Sequence, residues 1–191
     1  MSEERAHAAG ERLEPAPRRI LAVKLADIGD VLTSTPALRA LRETYPFAHI
    51  DVLVTPGSAP ALAGVNLVDG ILTFDKFQFD RPLDALRPAL AASLRLGLRL
   101  RRARYDAVLV LHHLTLRFGR LKYAALVLAA GAPIRAGLDN GRGWFYNRRA
   151  PDAGFGARHE VEYWLQVAGA VGASTSDVRL EGPRTPDAEY W

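Results

Sequence analysis

The chain has 191 residues, 49% of them apolar and 24% charged, enough for one sizeable core. It contains no cysteine, which excludes disulfides and thiolate metal sites. The formal net charge is +4, from 25 basic and 21 acidic residues, and it is uneven: from Arg95 to Lys122 eight cations face one acid, Asp106.

Such a basic zone fits an anionic partner: a phosphate, an acidic glycan, an anionic membrane surface or nucleic acid. For the arginines before Tyr105 a solvated helix face is the plainer explanation. Met1 to Arg18 is polar, carries Pro15 and Pro17, and has no apolar segment of the signal-peptide kind. It reads as a disordered tail. No apolar run approaches the roughly 20 residues that span a bilayer, so a cytoplasmic location is expected.

Ile20 to Leu25 is apolar except for Lys24, as a central parallel strand buried on both faces should be. A turn at Gly29-Asp30 and a helix from about Asp30 to Tyr45 follow, with Pro36 tolerable near its first turn. His49 to Val54 and Asp69 to Phe74 read as the second and third strands. Asp80-Arg81-Pro82 opens a long helix to about Arg104, whose Leu83, Leu86, Leu90, Leu94 and Leu98 recur at helical spacing and are read as its core face. Asp106 to Leu111 is a fourth strand ending in His112-His113. Phe118 to Ala130 is a helix, Ile134 to Leu138 a fifth strand, and Asp139 to Arg158 a glycine-rich loop. His159 to Val171 is the last helix, with Val178 to Leu180 a short strand candidate and Pro186 to Trp191 linker-like.

Strands alternating with helices imply an α/β fold, a Rossmann-like doubly wound parallel sheet with right-handed crossovers. The expected strand order is 3-2-1-4-5. Strands one and four then flank the switch point, and the loops bearing Asp30 and His112-His113 face each other across one crevice.

Asp30 has two readings. It caps a helix N-terminus, worth roughly 1 kcal/mol, or it is a general base, worth about 100- to 10,000-fold in rate when well placed. Gly29 beside it favours the second, since glycine permits a sharp turn and close approach to a ligand. Lys24 to Asp30 holds one glycine rather than a G-x-G-x-x-G series, and no P-loop is present, so a nicotinamide, flavin or NTP site is disfavoured. Gly141-Arg142-Gly143 reads as a plain turn. Adjacent strand residues point to opposite faces, so His112 and His113 are poorly placed to share a metal; one of them is a candidate substrate contact. Arg117, Arg120 and Lys122 open a helix whose N-terminal dipole is already positive, which makes more sense if they meet an anion. Trp144-Phe145-Tyr146-Asn147-Arg148-Arg149 combines aromatics with cations suited to sugars and phosphates; the alternative is a loop pinned to the core by Trp144 and Phe145. His159 and Glu160 read as structural helix-opening residues.

Lys24-Leu25 through Ile28-Gly29-Asp30-Val31-Leu32-Thr33-Ser34-Thr35-Pro36-Ala37-Leu38 resembles the signature of glycosyltransferase family 9, the lipopolysaccharide heptosyltransferases. Gly131-Ala132-Pro133 with Arg135-Ala136-Gly137-Leu138, Phe145 to Arg148, and His159-Glu160-Val161-Glu162 support the resemblance, which spans about Arg19 to Gly172. It implies the N-terminal half of a GT-B fold, with residues 19–182 as an acceptor-binding domain and 183–191 as the start of an interdomain linker. It implies metal-free inverting transfer from an ADP-heptose donor, with no cofactor, to an anionic glycolipid acceptor, the lipopolysaccharide inner core. The family's base maps onto Asp30. Gly29, Thr33, His112, His113, Arg117, Arg120, Lys122, Arg142 and Arg148 are the candidate substrate contacts, several by position and charge alone. The family's C-terminal donor domain is absent from these residues, so turnover by this chain alone is not expected. Contact with the cytoplasmic face of the membrane stays open. The competing reading is a non-catalytic binding or assembly module; a nucleic-acid binder is weaker, since no recognition motif occurs.

Overall fold

The computed structural model describes residues 11–75, 86–115 and 117–184. Its strands are β1 (Arg19–Lys24), β2 (His49–Val54), β3 (Gly70–Thr73), β4 (Ala107–Val110), β5 (Ile134–Asp139) and β6 (Arg148–Pro151). Its α-helices are α1 (Ile28–Thr33), α2 (Thr35–Thr44), α3 (Leu86–Ala103), α4 (Arg117–Ala130) and α5 (Glu160–Gly169). The strands form one sheet in the order β3-β2-β1-β4-β5-β6, every pair parallel. The expected order holds, extended by one edge strand. Ile20 sits opposite Ile50 on one side and Ala107 on the other, so β1 is central and buried on both faces.

Each face has its own core. Ile20, Ala22, Ile50, Val52 and Leu109 pack against Leu38 and Leu41 of α2 and Tyr163, Trp164 and Val167 of α5. Leu21, Val23, Val108 and Val110 pack against Leu100 of α3, Tyr123 and Val127 of α4, and the Phe145-Tyr146 pair.

The structure corrects several expectations. The helix after β1 is two helices, broken at Ser34. Pro36 has no N–H to give the carbonyl of Leu32, four residues back; the Thr35 hydroxyl donates to that carbonyl instead, at 2.7 Å. The supposed loop contains β6, an edge strand of sequence RRAP whose Pro151 needs no ladder partner on its outer side. Val178 to Leu180 forms no strand. That segment is held to α2 by Arg39, which donates to the carbonyls of Asp177 and Arg179 and to Glu181. Residues 11–18 are an ordered part of the fold, not a tail: Leu13 is buried, its amide donates to Tyr45 Oη at 3.2 Å, and Arg12 donates to the carbonyl of Thr44. Residues 1–10 lie outside the described residues, as does the linker-like 186–191.

The leucine stripe of α3 does not face the core. Ala89 and Leu100 are buried, Leu96 and Ala103 pack against the core, and Leu90, Leu94 and Leu98 are exposed. Two stripes at helical spacing compete on this helix. The row of Ala89, Leu96, Leu100 and Ala103 takes the inside, and α3 lies close on α4, where a Cβ added at Gly97 would stand 3.6 Å from that of Ala129. Leu83 lies outside the described residues, as does the side chain of Leu86.

Candidate active site

The crevice opens where the topology places it, at the carboxyl ends of β1 and β4, between which the strand order reverses. Lys24, Asp30, His112, His113, Thr115, Phe155, Glu160 and Trp164 line a hollow of about 120 Å³. Asp30 is exposed, in the first turn of α1. It is not the helix cap: that position falls to Asp27, whose side chain makes no capping hydrogen bond. The glycine before it serves no turn, since Gly29 is helical; open space surrounds the position its Cβ would take.

Lining the same hollow is Lys24, the last residue of β1 and 1% exposed. Its Nζ lies 3.9 Å from the centroid of the Trp164 ring and 4.0 Å from Glu160 Oε2. Burial pushes its pKa down to about 8, against the opposing pull of the Asp30 and Glu160 charges. Trp164 in turn donates from Nε1 to Thr33 Oγ1 at 3.2 Å, and Thr33 donates to the carbonyl of Asp30 at 2.8 Å. Thr33 therefore ties α5 to α1, and its hydroxyl is engaged in holding the helix that carries Asp30.

His113 forms the other wall. Its Nδ1 is 3.1 Å from Asp152 Oδ1, and its ring meets Tyr163 edge-on at 4.7 Å. Nε2 lies 3.3 Å from Glu160 Oε1, but out of line for a hydrogen bond, so this buried ring nitrogen has no hydrogen-bond partner among the described residues. His112 turns the other way and meets the ring of Tyr123 at 4.9 Å. The two histidines thus serve opposite faces, as alternation requires, while both line the crevice. Among the described residues no three His, Asp or Glu side chains form a metal-binding group.

The remaining candidates divide. Arg142 reaches the rim, donating to the carbonyl of Thr115 at 3.2 Å. Arg120 and Lys122 do not line the hollow; Lys122 lies over Tyr123 at 5.4 Å. The side chain of Arg117 lies outside the described residues. Arg148 opens β6, at the end of the strand away from the crevice. Gly141-Arg142-Gly143 is a turn closed on Asp139, whose Oδ1 accepts from the amides of Gly141 and Gly143 at 2.9 and 2.8 Å. Phe145 and Tyr146 pin the following loop, whereas Trp144 stays exposed. Tyr146 fits because residue 137 is glycine: a Cβ there would stand 2.3 Å from the ring.

His159 caps α5, accepting from the amide of Val161 at 3.3 Å. Glu160 is more than a helix opener, because it faces both Lys24 and His113. Of the residues lining the hollow, sequence reasoning gave Lys24, Thr115, Phe155 and Trp164 no site role and Glu160 only a structural one, and it did not foresee Asp152 beside His113. A lysine closing an otherwise apolar buried strand was the available signal.

A doubly wound parallel domain with an exposed carboxylate at its switch point has the architecture of one half of a GT-B glycosyltransferase. Its fold matches the E. coli heptosyltransferase WaaC with ADP-2-deoxy-2-fluoro heptose at a TM-score of 0.65 and 27% identity, over 82% of this chain and 49% of that one. It also matches E. coli ADP-heptose lps heptosyltransferase II (TM-score 0.61, 21% identity, 90% of this chain, 48% of that one). A third match is the glycosyl transferase family 9 structure from Veillonella parvula DSM 2008 (0.63, 21%, 87% and 44%). At 21% identity these two show the fold alone. Comparison with curated proteins gives no match. Residues 93–185 match Glycosyltransferase family 9 (heptosyltransferase), the family to which this chain is similar. It spans about half the length of the structures it resembles.

Proposed function

We propose that this chain is the acceptor-side half of an inverting heptosyltransferase, with Asp30 as its general base. The observation that carries the reading is the exposed Asp30 carboxylate lining the switch-point crevice together with buried Lys24, in a fold shared with a heptosyltransferase carrying an ADP-heptose analogue. The acceptor is an anionic glycolipid, the lipopolysaccharide inner core, and the donor is ADP-heptose.

Asp30 accepts the proton of an acceptor hydroxyl as that oxygen forms a bond to the anomeric carbon. The bond from that carbon to the diphosphate oxygen breaks with its electron pair, and ADP leaves from the opposite face, so the configuration inverts. Lys24 supplies a fixed positive charge near Asp30 and Glu160, so the crevice holds two carboxylates beside one cation. The two histidines line the crevice offered to the acceptor, and Arg142 stands at its rim beside Thr115. Groups that receive the leaving diphosphate belong to a donor domain outside these residues.

The test pairs the purified chain with a family donor domain and follows heptose transfer to a phosphorylated inner-core acceptor by mass spectrometry. Transfer by the pair and none by either part alone is expected. No product from the pair, or full turnover by the 191 residues alone, contradicts the reading.

A further inference from the structure

The helix pair on the face of the sheet away from α2 and α5 carries a surface that neither the fold nor the crevice uses. On α3, Leu90, Leu94 and Leu98 are 55%, 65% and 46% exposed; on α4, Leu121 and Leu128 are 58% and 46% exposed. At about 100° per residue, the α3 leucines border Gly97, which faces Ala129 of α4. The two leucine rows are therefore neighbours, and the α3 row runs about 12 Å along its helix. Arg95, Arg99 and Arg102 form the next row outward on α3, and all three are exposed.

Residues 86–105 contain six arginines and residues 117–130 three cations, with no carboxylate in either stretch. Among the described residues, Arg95, Arg99, Arg101, Arg102 and Arg104 have no ion-pair partner. Arg101, Arg102 and Arg104 continue the cation row round the end of α3 into an open hollow of about 660 Å³. Asp106 on its wall is the one acid among the described residues lining it, and its Oδ2 accepts from the amides of Arg18 and Arg19 at 2.7 and 2.9 Å rather than pairing with these arginines.

We infer that the α3–α4 face docks on an anionic phospholipid bilayer, with the leucines of both helices in the acyl boundary and the α3 arginines among the headgroups. An apolar row bordered by cations and free of acids is the pattern of an interfacial helix, and charge complementarity selects the occupant. A second copy of this chain would set one acid-free cationic face against another. A neutral apolar partner would leave the arginines unanswered. The bilayer answers both rows at once. Docking there brings the crevice to a lipid-borne acceptor only if the proposed transferase reading holds; the docking itself does not depend on it.

The test is co-sedimentation of the full chain with phosphatidylcholine vesicles, with and without phosphatidylglycerol, and with neither sugar donor nor acceptor present. Binding to the anionic vesicles is expected, weakening as salt rises. The Leu94→Ser/Leu98→Ser chain should bind at least about tenfold more weakly with an unchanged circular dichroism spectrum. Phe47→Ser, at a 99% exposed residue in the turn between α2 and β2, and Asp30→Asn should bind like the parent. As a second readout, a tryptophan at Leu94→Trp should shift to the blue and be quenched by brominated lipid. No binding to anionic vesicles overturns the inference. So does binding that ignores the two leucines, or a lipid-free dimer that the Leu94→Ser/Leu98→Ser change dissolves. None of those results bears on heptose transfer, and loss of transfer in Asp30→Asn does not bear on vesicle binding.

Discussion

The ammonium of Lys24 rests 3.9 Å from the centre of the Trp164 ring, with Glu160 Oε2 4.0 Å away. This contact joins the end of the central strand to α5 and sets a buried cation in the crevice that Asp30 also lines. A cation over an indole is favourable, more so when both are shielded from water, yet burial still costs the ammonium part of its affinity for its proton.

The pH dependence of stability follows from that cost. Burial holds the folded pKa of Lys24 at about 8, below the ordinary 10.5 of the unfolded chain. Between those values the unfolded chain binds a proton that the folded chain has released, so stability rises with pH across that window and is flat below it. Relative to Lys24→Met, the parent should gain up to about 3 kcal/mol between pH 8 and pH 10.5. Urea unfolding of both proteins at the two ends of the window measures it; an unchanged difference would show that Lys24 is not buried as a cation.

Trp164 should be among the costliest positions to truncate. It is 1% exposed, packs in the core against α2 and the sheet, and donates to Thr33. Trp164→Ala should cost about 3–5 kcal/mol in urea unfolding, from lost burial and the cavity left behind. A cost below 1 kcal/mol would contradict the packing described.

The buried tyrosines separate by their hydroxyls. Tyr105 Oη donates to Asp51 Oδ2 at 2.6 Å, whereas Tyr146 Oη is buried with no hydrogen-bond partner among the described residues. Burial raises the pKa of both, and for Tyr105 the Asp51 carboxylate adds to the rise. Tyr105→Phe should cost about 1.5–3 kcal/mol, as for a hydrogen bond to a charged group, and it leaves Asp51 short of a donor. Tyr146→Phe should be neutral or slightly stabilising. Thermal unfolding of the two variants side by side tests the contrast, and equal costs would refute it.

Gly137→Ala should destabilise the chain by about 1–3 kcal/mol, since the added methyl would overlap the Tyr146 ring between β5 and its covering loop. The double change Gly137→Ala/Tyr146→Leu should recover part of that loss. Additive costs in a double-mutant cycle would show that the two positions do not touch.

The parallel sheet and its switch point were legible because the inner strands are short apolar runs bounded by turn residues. β1, β4 and the crevice between them follow from that pattern and the handedness of crossovers. β6 was not legible: Arg148, Arg149 and Pro151 carry no strand pattern, and its pairing depends on the exposed edge of β5. The inner face of α3 was not legible because two rows at helical spacing both contain leucines, and only packing against the core and α4 decides that Ala89, Leu96, Leu100 and Ala103 lie inside. Asp30 could be found from its neighbours in sequence. Its companions could not, because Thr33 and Trp164 are 131 residues apart and Glu160 meets Lys24 only once α5 has packed on the sheet.

The central claim is that Asp30 removes the acceptor proton. It is tested most directly by comparing kcat of the parent and Asp30→Asn chains, each paired with the same donor domain at saturating acceptor. The account predicts a fall of about 100- to 10,000-fold, with acceptor KM and fold little changed because Asp30 is exposed and caps nothing. An Asp30→Asn enzyme that transfers heptose at the parent rate would contradict it.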